Sequence, residues 1–171
     1  LLSEEVGREH WEVGEALGEC LLEEDIGITW PWNMERDKRT PRASLPGADL
    51  VGLLTTQGGT VLAFGEVKTS SDADTPPSVM SGQRGMISQL EALANDCHIH
   101  KCLIEWLYIR CRTTELWPRL QDALTVYFAS EGRDVMLCGV LMRDTDPNDK
   151  DLSGGAKALA TNIGPPMQVV L

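Results

Sequence analysis

Three charged residues near the middle of the chain have the types and spacing that metal-dependent phosphodiester hydrolysis requires. Asp49 begins one apolar run, and Glu66 and Lys68 end a second one. In a β-strand, residues i and i+2 point to the same face, so Glu66 and Lys68 project together while Val67 points to the other face. If the two runs pair as a hairpin, Asp49 lies beside them. We therefore expect two carboxylates and an ammonium group to meet at one edge of a sheet.

These groups suit a divalent cation. A bound Mg²⁺ or Mn²⁺ lowers the pKa of water and polarises a phosphate, and Mg²⁺ prefers one or two carboxylates with several waters. Asp49 and Glu66 are the predicted metal ligands, with the backbone carbonyl of Val67 as a further one. Lys68 is predicted to orient the attacking water or to stabilise the developing negative charge. No small-molecule cofactor is expected.

Hydrophobic periodicity predicts the elements that position this site. A helix begins near Ser3 and carries one apolar stripe to about residue 22, formed by Val6, His10, Val13, Leu17, Cys20 and Leu21. Strands are predicted at 27–30, 48–55, 60–69, 135–143 and 167–171, with a hairpin turn at Gly58-Gly59. Helices are predicted at 85–95, 100–112, 114–130 and, as a short one, 156–160. The stretch 100–112 is apolar almost all round and could instead be partly strand. This order indicates an α/β fold with a central mixed sheet flanked by helices.

Length and cysteine content restrict the class of protein. The chain has 171 residues, which predicts a single domain over 1–171. No long apolar run suggests a membrane span, and five scattered cysteines without a CxxC pair predict free thiols in a reducing cytoplasm. The block Cys97 to Cys102 is too compact for a usual zinc site. Because the chain starts without Met, we expect it to be a piece of a longer protein.

The net charge of −11 argues against a strong grip on nucleic acid, whose phosphates are normally neutralised by Lys and Arg. The acid excess lies mainly in the first helix and the loop 144–151. Basic side chains instead cluster just before Asp49, and we predict DNA contacts there and at the two hydroxyls that follow Lys68: Arg36, Lys38, Arg39, Arg42, Thr69 and Ser70. A partner or a further domain is expected to supply the rest of the affinity.

The segments GADLVGL and FGEVK resemble the signature of the PD-(D/E)XK nuclease superfamily, with Asp49 and Glu66-Val67-Lys68 in the signature positions. The proline of the signature stands at Pro46, separated from Asp49 by Gly-Ala. The resemblance covers most of the chain and implies a restriction-endonuclease-like core. It also implies two further site residues. Glu15, on the first helix, would face the metal, directly or through water, with Glu12 and Glu19 as alternatives. Gln89, on the helix after the lysine strand, would join the site, with Gln83 as the alternative.

FGEVKTSSD, GMISQL and GVLMRDTDPND further resemble HamA, the nuclease subunit family of the Hachiman anti-phage defence system. That resemblance implies a DNA endonuclease or nickase acting beside a helicase partner, with this chain as the C-terminal catalytic part. Two other functions stay open. One is a catalytically silent nuclease-fold module that docks protein or nucleic acid, and the other is a recombination or repair nuclease.

Overall fold

The computed structural model describes residues 10–31, 47–146 and 148–171, and within them an α/β domain. The helices and strands follow one another in the order α1 (His10–Ile26), β1 (Ile28–Thr29), β2 (Leu50–Thr56), β3 (Gly59–Ser70), a 3₁₀ turn (Ser78–Met80), α2 (Met86–Asn95), α3 (Cys97–Cys111), α4 (Trp117–Ala129), β4 (Val135–Arg143), α5 (Lys150–Asn162) and β5 (Gln168–Val170). The start of the first helix predicted at Ser3 lies outside the described residues. Among the described helices, none is long and apolar enough to cross a membrane.

The five strands form one mixed sheet in the order β1-β2-β3-β4-β5. β1, β2 and β3 pair in antiparallel fashion, whereas β4 and β5 run parallel to β3. The β2–β3 hairpin turns at Gly59, whose φ of 124° is open to glycine and strained for other residues. Its register places Leu50 opposite Gly65. The predicted hairpin, the mixed sheet and its flanking helices are therefore confirmed.

Side chains that alternate along the strands contribute to two apolar layers, one on each face of the sheet. Leu62, Phe64 and Leu137 face α2, α3, α4 and α5 in the larger core. Ala63, Val67 and neighbouring residues face α1 in the smaller one. Because side chains alternate along β3, Glu66 and Lys68 belong to the face that carries Phe64, under the larger helical layer.

In the described part of α1, the apolar side chains of the predicted stripe face away from the sheet. The buried residues of α1 are Gly14, Glu15, Gly18 and Leu22, and a Cβ built at Gly18 would lie 3.1 Å from Val67 Cγ2. Leu17 and Leu21 are exposed instead. The small residues allow the helix backbone to approach the sheet closely, so α1 packs on that side and leaves these apolar side chains exposed.

Two further helices, α3 and α5, differ from what the sequence predicted. α3 is helical throughout, so the partly stranded alternative for 100–112 is wrong; the Asp96 carboxylate caps its start by accepting hydrogen bonds from the backbone N–H groups of His98 and Ile99. α5 is longer than the predicted 156–160, although Gly154 and Gly155 lie within it. A Cβ at Gly155 would lie 2.5 Å from Ile87 Cδ1, so glycine permits the close packing of α5 on α2.

Candidate active site

Asp49 is fixed at the start of β2 by two hydrogen bonds with β3. Its backbone N–H donates to the Gly65 carbonyl at 2.9 Å. Its carboxylate Oδ2 accepts a hydrogen bond from the Val67 N–H at 3.0 Å. Val67 lies beyond the last paired residues of β2 and β3, Leu50 and Gly65. In a strand, the N–H and C=O of one residue point to the same side. The Val67 carbonyl therefore faces the same strand edge as the Asp49 carboxylate, as its predicted role as a ligand requires.

Glu66 and Lys68 project together from β3, as the period of two predicts. Lys68 Nζ lies 3.1 Å from Glu66 Oε2. The Glu66 side chain is almost fully buried, with 2% exposed, whereas Lys68 keeps 19% of its side chain accessible. The pair thus has one member inside the protein and one that solvent reaches in part.

Burial, followed by the neighbouring charge of Asp49, raises the pKa of Glu66 to about 8, although Lys68 acts in the opposite direction. A hydrogen bond between the two acids also contributes. Two close carboxylates repel each other when both are ionised, so near neutral pH this pair tends to share a proton. A divalent cation can take the place of that proton and relieve the repulsion. The residues present therefore fit a hard cation with few protein ligands.

Glu15 lies on α1, with 9% of its surface exposed. α1 covers the Val67 face of the sheet, opposite to Glu66. Within residues 10–31, 47–146 and 148–171, no three His, Cys, Asp or Glu side chains form a group that could hold a metal ion. The role of Glu15 at the metal, directly or through water, stays a prediction.

Gln89 lies on α2, which packs on the Glu66 face of the sheet. Its side chain is half-buried, and its Oε1 atom is buried without a hydrogen-bond partner among the described residues. A buried amide oxygen without a partner costs about 1–3 kcal/mol. Such an atom is available to a water molecule or a substrate group, which is the behaviour expected of a site residue.

The two hydroxyl residues after Lys68 point to different faces of the sheet. Thr69 shares the α1 face with Val67, where its methyl group approaches Gly14. Ser70 is in phase with Lys68, and its Oγ accepts a hydrogen bond from the Asp72 N–H at 3.1 Å. Only Ser70 is therefore on the same face as Glu66. The predicted DNA-contacting residues Arg36, Lys38, Arg39 and Arg42 lie outside the described residues.

Arg143, which ends β4 opposite Ser70, has a role that the sequence patterns did not indicate. Its side chain is 7% exposed and pairs with Asp151 of α5 at 2.5 Å. It also donates to the backbone carbonyls of Asp72 and, at 3.1 Å, Asp74. Arg143 thereby ties the loop after Lys68 to α5. An arginine ending a buried strand, followed by an acid in a helical first turn, was the available signal.

His100 is buried in the structure, with 2% of its surface exposed. Its Nδ1 lies 3.0 Å from the Tyr127 hydroxyl, and its Nε2 contacts the Leu93 carbonyl. Desolvation lowers the pKa of His100, so the neutral ring donates from Nε2 to the carbonyl and accepts at Nδ1. His98 is exposed at the other side of α3. The imidazole of His100 is therefore a core polar link rather than a ligand.

Comparison of the chain with protein-family models, with curated proteins and with solved structures finds no significant match. The function must therefore be argued from the geometry of these residues.

Proposed function

We propose that the chain is a metal-dependent phosphodiesterase, and more specifically a DNA endonuclease or nickase. The observation that carries the proposal is the pairing of half-buried Asp49 with buried Glu66, with the Lys68 ammonium 3.1 Å from Glu66. A buried carboxyl group whose pKa is strongly raised, beside a specific charged partner, marks a candidate functional site. The element order of α1, three antiparallel strands, helices and a parallel β4 also agrees with a restriction-endonuclease-like core.

Each residue has a definite role in this proposal. Asp49 and Glu66 hold Mg²⁺ or Mn²⁺, with the Val67 carbonyl at the same strand edge. When bound, the cation lowers the pKa of a coordinated water and neutralises charge on the phosphate. Lys68 would orient the attacking water or stabilise the developing negative charge. Gln89 offers its amide oxygen to a water.

The particular family we propose is the PD-(D/E)XK superfamily, and within it the HamA nuclease subunits of Hachiman anti-phage defence. A helicase partner in the bacterial cytoplasm would bring DNA to an acidic chain that holds phosphates poorly by itself. The net charge of −11 supports the need for such a partner. All five cysteines are free thiols, as suits a reducing compartment.

The proposal is tested by incubating supercoiled plasmid and Mg²⁺ with the wild-type chain, with Lys68→Ala and with Lys101→Ala. Lys101 is the matched control, because it also pairs with a glutamate but at the surface, 3.9 Å from Glu105. We expect nicking or linearisation by the wild type and by Lys101→Ala, and a loss of at least about a hundredfold in Lys68→Ala. Equal cleavage by all three would refute the assignment.

The net charge favours the docking module as the second candidate. Calorimetric titration with Mn²⁺ separates the two functions without relying on activity. A nuclease site binds Mn²⁺ in the wild type and loses that binding in Asp49→Asn and in Glu66→Gln. A docking module shows no Mn²⁺ binding that depends on these two acids.

A further inference from the structure

The outward side of α1 is an apolar stripe that the described residues leave exposed. Of its larger side chains, Val13 is 43%, Leu17 53% and Leu21 46% exposed. Ala16 and Cys20 lie between them at helical spacing and are also exposed. Five apolar or small side chains on one face of a helix, with the opposite face already packed on the sheet, form a surface suited to a second helix. We refer to these five residues as the α1 stripe.

A groove borders the stripe at the carboxyl ends of β3 and β4. It is a surface cavity of about 400 Å³, into which Val13, Leu17 and Met142 contribute apolar side chains and Ser71 and Asp144 polar ones. The stripe therefore leads into a depression able to receive a bulky side chain. Helix-in-groove recognition uses this arrangement, with anchors one and two turns apart.

The charges at the end of α1 determine the chemistry of the occupant. Glu23, Glu24 and Asp25 are exposed within the last turn, and the helix carries no Lys or Arg. A helix C-terminus has partial negative charge, so acids there are unfavourable and cations favourable. The last turn of α1 thus carries negative side-chain charge beside the partial negative charge of the helix C-terminus. A basic partner would relieve that repulsion at the point where the stripe ends.

We propose that the α1 stripe docks a basic amphipathic helix of another protein. A second copy of this chain would bring another helix of the same acidic charge against the first. DNA and anionic membranes would be repelled by the same carboxylates. The α1 stripe itself lies on the α1 side of the sheet and Glu66 on the other, although Thr69 and Ser70, the predicted DNA contacts, also line the groove beside the stripe.

The test uses two exposed thiols of the full chain. Cys20 lies in the stripe, whereas Cys97 begins α3 on the far side of the sheet. The probe is a synthetic amphipathic helix of leucine and lysine, about as long as α1, and the matched probe has glutamate in place of lysine. Alkylation by iodoacetamide is followed for each cysteine by mass spectrometry. We expect the lysine probe to slow alkylation of Cys20 by about tenfold at saturation, to leave Cys97 unchanged, and the glutamate probe to protect neither.

Variants locate the binding surface without changing its charge or the nuclease residues. Leu17→Asn should weaken the apparent affinity of the lysine probe by about tenfold, equivalent to about 1.4 kcal/mol. Phe128→Asn is the matched control, because Phe128 is 68% exposed on α4. Circular dichroism checks that each variant remains folded.

Four outcomes overturn the proposal. They are equal protection of Cys20 and Cys97, protection by the glutamate probe, no protection by either probe, and an equal effect of Leu17→Asn and Phe128→Asn. Sedimentation of the chain alone tests the remaining occupant. A dimer that Leu17→Asn dissociates would assign the stripe to a second copy and refute a basic partner.

Discussion

The Glu66→Gln variant should change how the stability of the metal-free protein depends on pH. The pKa of Glu66 is raised from 4.5 to about 8, chiefly by burial. The folded state therefore retains a proton that the unfolded state has already released. Stability from this group is fully present below pH 4.5 and is lost as the pH rises through about 8. Glutamine cannot ionise, so the variant should not lose it.

The size of the effect follows from the shift. At about 1.4 kcal/mol per pKa unit, the shift corresponds to roughly 5 kcal/mol between the two limits. The attraction between Glu66 and Lys68 is already contained in that shift, so about 5 kcal/mol is the upper limit of the effect. We expect the variant and the wild type to be similar at pH 4.5, and the variant to be more stable at pH 8.5 by about 2 to 4 kcal/mol.

The assay is urea unfolding in EDTA at several pH values, with the difference between variant and wild type taken at each. Glu105→Gln is the matched control, because Glu105 also pairs with a lysine but is 65% exposed, and its difference should stay nearly constant. A Glu66→Gln difference that does not grow with pH would show that Glu66 is not held neutral. The reasoning about the carboxylate pair would then fail.

Three other results are expected. Asp49→Asn should lose Mn²⁺ binding in calorimetry but keep a hydrogen bond from the Val67 N–H. In urea unfolding it should therefore be more stable than Asp49→Ala by about 1 kcal/mol. Equal stability of the two variants would contradict the role of that bond. Because a cation displaces a proton from Glu66, the affinity for Mn²⁺ should rise by up to about tenfold per pH unit between pH 6.5 and 7.5, and calorimetry showing no rise would contradict it. Tyr127→Phe removes the hydroxyl that donates to His100 and should lower the free energy of unfolding by about 1 kcal/mol, whereas an unchanged value would mean that the bond is not formed.

Much of the site was predictable because strands have a strict period. Alternation alone places Glu66 and Lys68 on one face, and the structure joins them at 3.1 Å. The glycines between the two apolar runs indicate the hairpin, and the buried strand over 135–143 was predicted with its observed bounds. Local signals suffice here, because each depends on neighbours in sequence or on a tight turn.

Burial and partners at longer range were not predictable in the same way. The buried link from Arg143 to Asp151 and to the loop after Lys68 joins segments that only the folded chain brings together. The raised pKa of Glu66 likewise requires both its burial and the neighbouring Asp49. Neither burial nor a charge across strands is encoded in the spacing of one segment.

The sequence by itself determined the α/β order, the β2–β3 hairpin and the common direction of Glu66 and Lys68, because strand and turn geometry are local. The tertiary structure decided which side of α1 is buried. Gly14 and Gly18 allow the backbone of α1 to approach the sheet closely. The helix therefore packs on the side that carries these glycines and leaves Leu17 and Leu21 exposed. An apolar stripe shows that one face of a helix favours burial. Only the packing of the other helices and strands shows whether that face is buried within this domain.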